Sequence, residues 1–142
     1  MKAAAQAGIA TEVARIADEV SLDRALRSMQ ERADAAWIGP LPSSLGPKVV
    51  AASAMRHRIA THAMSPNAVR DGLLFCHWLE QSDPAQRTAI VVDKILRGAN
   101  PATIPFELPD KTVLVINRAT AAAIGVQVPP DMKLRATEIV GE

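Results

Sequence analysis

The chain has 142 residues, 49% of them apolar, and a formal net charge of +1 at pH 7. That length suits one domain and that apolar share can fill a core, while so balanced a charge gives no electrostatic footprint for nucleic acid or an anionic membrane surface. The single cysteine, Cys76, excludes an internal disulfide and a thiolate metal site, and no apolar run approaches the ~20 residues of a membrane span.

Residues 2 to 7 read as the last turns of a helix that Gly8 ends. Ile9 to Ile16 reads as a strand, although a charged one. Ser21 is expected at a helix N-cap, with Leu22, Ala25, Leu26 and Met29 following at helical spacing and Asp34 at the end. Ala35 to Gly39 is a short buried strand. The turn-rich loop Pro40 to Pro47 leads into an amphipathic helix from about Ser44 to Arg58, anchored by Val49, Val50, Ala54 and Met55. Ile59 to Ala63 is the next strand, and Ser65 to Gly72 a polar loop with room for one helical turn. Gly72 to His77 is again a strand.

From Asp83 onward the signals are strongest. Asp83 is expected at an N-cap with Pro84 at the first helical position. Ala85, Ala89, Val92 and Leu96 share one face, with Thr88, Val91 and Ile95 beside it. Lys94 and Arg97 suit the dipole of the last turn, Gly98 is the stop, and Pro101 follows. Three prolines between Asn100 and Pro109 keep that segment extended or turning. Thr112 to Ile116 is a β-branched and aliphatic run fit for one buried strand. Asn117 opens a helix that Gly125 closes, and the remainder holds a Pro-Pro turn and a short terminal element. Strands near residues 9, 35 and 59 with helices between them have the βαβ spacing of a parallel sheet. The fold class is therefore α/β, an open, mostly parallel sheet with helices on both faces. Leu26, Trp37, Ile38, Leu74, Val92, Leu96, Leu114 and Ile116 are the expected core.

Five segments occur in a telling order: Val92–Gly98 (VDKILRG), Pro101–Pro105 (PATIP), Val115–Asn117 (VIN), Ala121–Gly125 (AAAIG) and Val128–Pro130 (VPP). This series resembles the C-terminal part of the substrate-binding proteins of ABC transporters, in an aromatic-amino-acid-binder-like group. The resemblance reaches back to residue 1 but covers about half of a typical member. It implies one lobe of a type I periplasmic-binding-protein fold, residues 1–142 forming a single domain like the C-terminal lobe and hinge-return segment. It also implies a small-molecule ligand, amino-acid-like or otherwise planar and partly apolar, bound without chemistry, and an ABC permease as partner. Family members are periplasmic. The chain as written carries no export signal, which points to the cytoplasm if it is expressed as such. The face that would meet the other lobe is expected to pair two copies into a homodimer. The rival expectation is an interaction or sensory module that acts by self-association.

In open α/β sheets ligands gather beyond the carboxyl ends of the strands, and three places qualify. Ser43, in the loop after the first buried strand, either faces a ligand or belongs to a cap and turn. His62 stands at the end of Ile59–Ala63, where the family often has a tyrosine, and is either a ligand contact or a solvated surface group. In the third, the family motif resembles A-G-G-L-x-S-Y-G; Gly72 and Leu73 match, while Phe75, Cys76 and His77 replace its serine, tyrosine and glycine. Phe75, His77 and Trp78 are the candidates there, Trp78 either stacking on a planar ligand or covering the sheet edge. Cys76 is read as a small apolar packing residue, and His57, in the basic run MRHR, as solvated. Templates for zinc proteases, P-loops, nucleophile elbows and dinucleotide binding are absent, and the three histidines lack a metal spacing. No catalytic residue, cofactor or metal is expected.

Overall fold

The computed structural model describes residues 2–42, 44–80, 82–105 and 111–141. A short helix, α1 (Lys2–Gln6), precedes Gly8, which takes a left-handed φ of 72°. The first long helix, α2 (Glu19–Met29), starts earlier than Ser21 suggests. Asp18 is its N-cap: the Ser21 N–H donates to Asp18 Oδ1 (2.8 Å), and the Asp18 N–H donates to Ser21 Oγ (3.0 Å). Ser21 is thus the returning partner of a capping box. Then come β1 (Ala35–Trp37), α3 (Pro47–Arg56), β2 (Ala60–His62), α4 (Pro66–Arg70) and β3 (Phe75–Leu79). The helix α5 (Ser82–Leu96) contains Asp83 instead of starting after it. A 3₁₀ turn at Pro101–Thr103, β4 (Thr112–Asn117), α6 (Arg118–Ile124), α7 (Pro130–Arg135) and β5 (Glu138–Val140) complete the order.

The sheet has five strands in the order β1-β2-β3-β4-β5. β1, β2 and β3 are parallel, β4 runs antiparallel to β3, and β5 is parallel to β4. Residues 9–16, expected as a strand, are not one. A strand persists only when a neighbouring strand takes its N–H and C=O groups, and no described strand pairs with this segment; Ile9 and Val13 are exposed and Glu12 is paired with Arg32 (3.2 Å).

Strand alternation sorts the core onto both faces. On one face Leu22 and Leu26 of α2, Val50, Ala51 and Ala54 of α3, and Val69 of α4 pack with Cys76 and Val115. Burial pushes the Cys76 thiol up, away from the reactive thiolate, so it acts as an apolar filler. On the other face Ala121 and Ile124 of α6 pack with Leu74, Ala60 and Phe75.

Of the expected core, Leu26, Leu74 and Ile116 are buried, and Ile38 and Leu114 are half-buried. Trp37 is 66% exposed, Val92 48% and Leu96 82%. The reason for the last two is topological. β2 meets β3 at a single register position, His62 opposite Phe75, whereas β3 and β4 stay paired from Phe75–Ile116 out to Leu79–Thr112. Beyond His62 the two strands form a ribbon that projects past the parallel sheet and carries α5. The apolar stripe of α5 exists as its periodicity predicts, but no described residue covers it.

Asn117 ties the pieces together. Its N–H donates to the Leu74 carbonyl (2.7 Å), its Nδ2 donates to the Val69 carbonyl (2.9 Å), and its Oδ1 accepts the Thr120 N–H (2.9 Å). Removing the side chain leaves a buried carbonyl and a helix N-terminus unpaired. Asn117→Ala is expected to cost about 2–4 kcal/mol in urea unfolding of the chain; a loss under about 1 kcal/mol would mean that water replaces both bonds.

Candidate functional site

β3 begins level with the ends of β1 and β2. The register sets Trp37 opposite His62 and His62 opposite Phe75, so three ring side chains form a row across one face at the carboxyl end of the parallel strands. The His62 and Phe75 rings meet edge-on, 5.1 Å between centroids and 73° between planes. Two residues on along β3, His77 shares this face with Leu114 opposite it. The His77 N–H donates to His62 Nε2 (3.5 Å). With Nε2 accepting, a neutral ring carries its proton on Nδ1, and Nδ1 is buried with no hydrogen-bond partner. Burial also lowers the pKa of His62, which favours that neutral form. Beyond His77 the row opens into a depression of about 260 Å³ lined by His77, Thr112, Leu114, Arg135 and Thr137.

The structure thus brings His62, Phe75 and His77 together, His62 as the last residue of β2 and the other two within β3. Trp78 lies at the same end but on the opposite face, half-buried and level with Val113. Ser43 lies outside the described residues. Trp37 was expected in the core; the matching positions of Trp37 and His62 at the ends of successive βα units were the signal for it. Nothing in the sequence marked Arg135, Thr112 or Thr137.

The expectation of a solvated His57 is also overturned, because α3 ends against α2. His57 is 8% exposed; its Nε2 lies 2.9 Å from Asp23 Oδ1 and its Nδ1 3.4 Å from Gln30 Oε1. Asp23 also accepts from Ser53 Oγ (3.3 Å) and Arg56 Nη1 (3.1 Å). Serine, histidine and aspartate meet here without the relay of a triad: the Ser53 hydroxyl is wholly buried and donates to the carboxylate, not to the imidazole. The cluster clamps two helices. Among the described residues no set of three or more His, Cys, Asp or Glu could hold a metal ion, and no helix is long and apolar enough to cross a membrane.

The fold is an α/β domain with a mixed, mostly parallel sheet whose strand ends present an open face. Residues 1–140 match the profile of the ABC transporter substrate binding protein family, and the chain belongs to that family. Its fold is similar to a conserved domain protein from Vibrio cholerae (TM-score 0.74, 20% identity, 98% of this chain and 47% of that one). An ABC domain in complex with L-Trp from Streptococcus pneumonia is also similar (0.70, 22%, 96% and 48%). So is the ligand-free, open form of a substrate binding protein with adhesive properties from Clostridium difficile (0.75, 17%, 99% and 48%). The chain spans about half the length of each. No curated protein sequence matches it.

The hydrogen bond from His57, above all, holds the Asp23 carboxyl below the usual carboxylate range. A carboxyl whose folded pKa is depressed adds stability that is full above its unfolded value, near pH 4, and is lost as pH falls through the folded value. Asp23→Asn is therefore expected to unfold more readily at neutral pH and to lose less stability than the parent on acidification below about pH 4. Parallel urea titrations across pH would refute the clamp if the two proteins lost stability in step.

Proposed function

We propose that this chain is the solute-binding portion of an ABC transporter binding protein. It takes a small, planar, partly apolar molecule on the Trp37–His62–Phe75 face, without chemistry. The observation that carries the reading is the ring row at the strand ends: an exposed indole for stacking beside an edge-on imidazole–phenyl pair. The complex of the Streptococcus pneumonia domain with L-Trp supports a ligand of this class, amino-acid-like and aromatic. Trp78, on the opposite face, is left out of the site. His77 is its polar margin.

In this reading residues 1–142 correspond to one lobe and the hinge-return segment of a bilobed protein, working in the periplasm with an ABC permease. A molecule held between two lobes owes its binding to both. Halving a micromolar binding free energy, about 8 kcal/mol, leaves roughly millimolar affinity, so the chain alone binds weakly. In a titration with L-tryptophan followed by NMR, the Trp37 indole and Phe75 ring signals are expected to move. Trp37→Ala is expected to weaken binding by about 1–3 kcal/mol. Binding that survives both Trp37→Ala and Phe75→Ala intact would remove the ring row from the site.

A second reading is favoured by α5, where Val92, Ile95 and Leu96 lie side by side on one helix face and are all exposed. Such a stripe drives association, and a second copy covers it in a homodimer that acts as an interaction or sensory module. Sedimentation at micromolar concentrations is expected to show a dimer that Leu96→Asp dissociates. A monomer throughout would eliminate this reading.

A further inference from the structure

We infer that the depression beside His77 is a carboxylate-binding subsite, and that Arg135 is the residue that recognises the acid group of the bound solute. The inference rests on the solute-binding reading and adds the polar half of the ligand to it.

Four segments build the depression: β3 gives His77, β4 gives Thr112 and Leu114, α7 gives Arg135, and the link into β5 gives Thr137. None of the five lining residues is acidic. The nearest carboxylate in sequence, Glu138, is turned away and taken up by Arg70 of α4, at 2.6 and 3.1 Å. Arg135 itself has no ion pair with any described residue, Asp131 one turn back on α7 included. A guanidinium with no partner among the described residues offers a planar fork of donors that fits a carboxylate with two parallel bonds.

The hydroxyl groups are set to help it. Thr137 Oγ1 accepts the Leu114 N–H (3.1 Å), so its own hydrogen is left to donate. Thr112 Oγ1 and His77 Nε2 share a hydrogen bond of 3.2 Å; with the ring donating, the Thr112 hydrogen is also left over. The Thr137 N–H to Leu114 carbonyl bond (2.8 Å) fixes the wall that holds both threonines. An acid group placed here meets a cation and two hydroxyl donors.

The depression is continuous with the ring row. His77 belongs to both, its N–H on His62 and its ring on the wall of the depression. One molecule therefore spans them, with an aromatic ring over His62 and Phe75 and a carboxylate at Arg135. A mere dipole role for Arg135 in the last turn of α7 would give no such selectivity, and this sets the test.

The 142-residue chain, labelled with nitrogen-15, is titrated with indole-3-acetate and with indole-3-ethanol, which share the ring and differ in the acid group. Indole-3-acetate is expected to shift the amides of Thr112, Leu114, Arg135 and Thr137 and to bind about tenfold more tightly. Arg135→Gln is expected to erase that preference while the affinity for indole-3-ethanol stays, and Arg135→Lys to restore it in part. Equal binding of both compounds around Trp37 and Phe75, or an indole-3-acetate affinity unmoved by Arg135→Gln, overturns the subsite and leaves the planar-solute reading standing. If neither compound gives a saturable shift at any residue, the subsite and the planar-solute reading both fall.

Discussion

The structure depends on the fully hydrogen-bonded burial of Asn117. It ends β4, binds the carbonyl of Val69 from α4, and caps α6 through Thr120. Thr120 repeats the pattern one step on, donating its hydroxyl to the Gly72 carbonyl (2.8 Å). A buried amide must satisfy both ends or cost more than it gives. Here each end is met by a different layer, so one side chain fixes where β4 stops, where α6 starts and how both sit against the loop before β3. Gly141 belongs to the same knot. At φ 77°, it runs so close to Asn117 Oδ1 and Ala119 that a Cβ would collide with them.

That anchoring lets the other end of β4 reach outward. A two-stranded ribbon beyond the parallel sheet is held by its own ladder, by the Thr137 contacts with Leu114 and by the His77 N–H on His62. It carries α5 away from the core, which explains how a well-formed amphipathic helix comes to expose Leu96. Such a helix draws its stability from packing more than from propensity, and its apolar stripe stays exposed among the described residues.

The same projection shapes the face that carries the ring row. Because β3 outruns β2, His77 stands beyond the strand ends with the ribbon as a wall behind it, and the ring row runs from Trp37 to that wall. The only serine–histidine–aspartate meeting among the described residues lies elsewhere, between α2 and α3, with its hydroxyl wholly buried.

The sequence by itself determined what local chemistry can encode. Gly8, Gly98 and Gly125 end their helices in left-handed conformations, Asn117 caps α6, and Thr112–Asn117 forms a strand. The α/β class followed from strand spacing, and the family from the VDKILRG to VPP series. Tertiary structure decided everything that depends on a partner. Periodicity marked the apolar face of α5 but could not say that no described residue covers it. Residues 9–16 had a strand-like pattern but no ladder to join. Trp37 and His57 exchanged their expected places: register put the indole at an open strand end, and the approach of α2 buried the imidazole against Asp23. Phe75 and Trp78 were read together, yet a pleated strand sends residues three apart to opposite faces. Arg135 meets His77 at the rim of one depression only through the fold, because helix α7 and the β3–β4 ribbon, more than fifty residues apart in the chain at His77, are brought together by strand pairing.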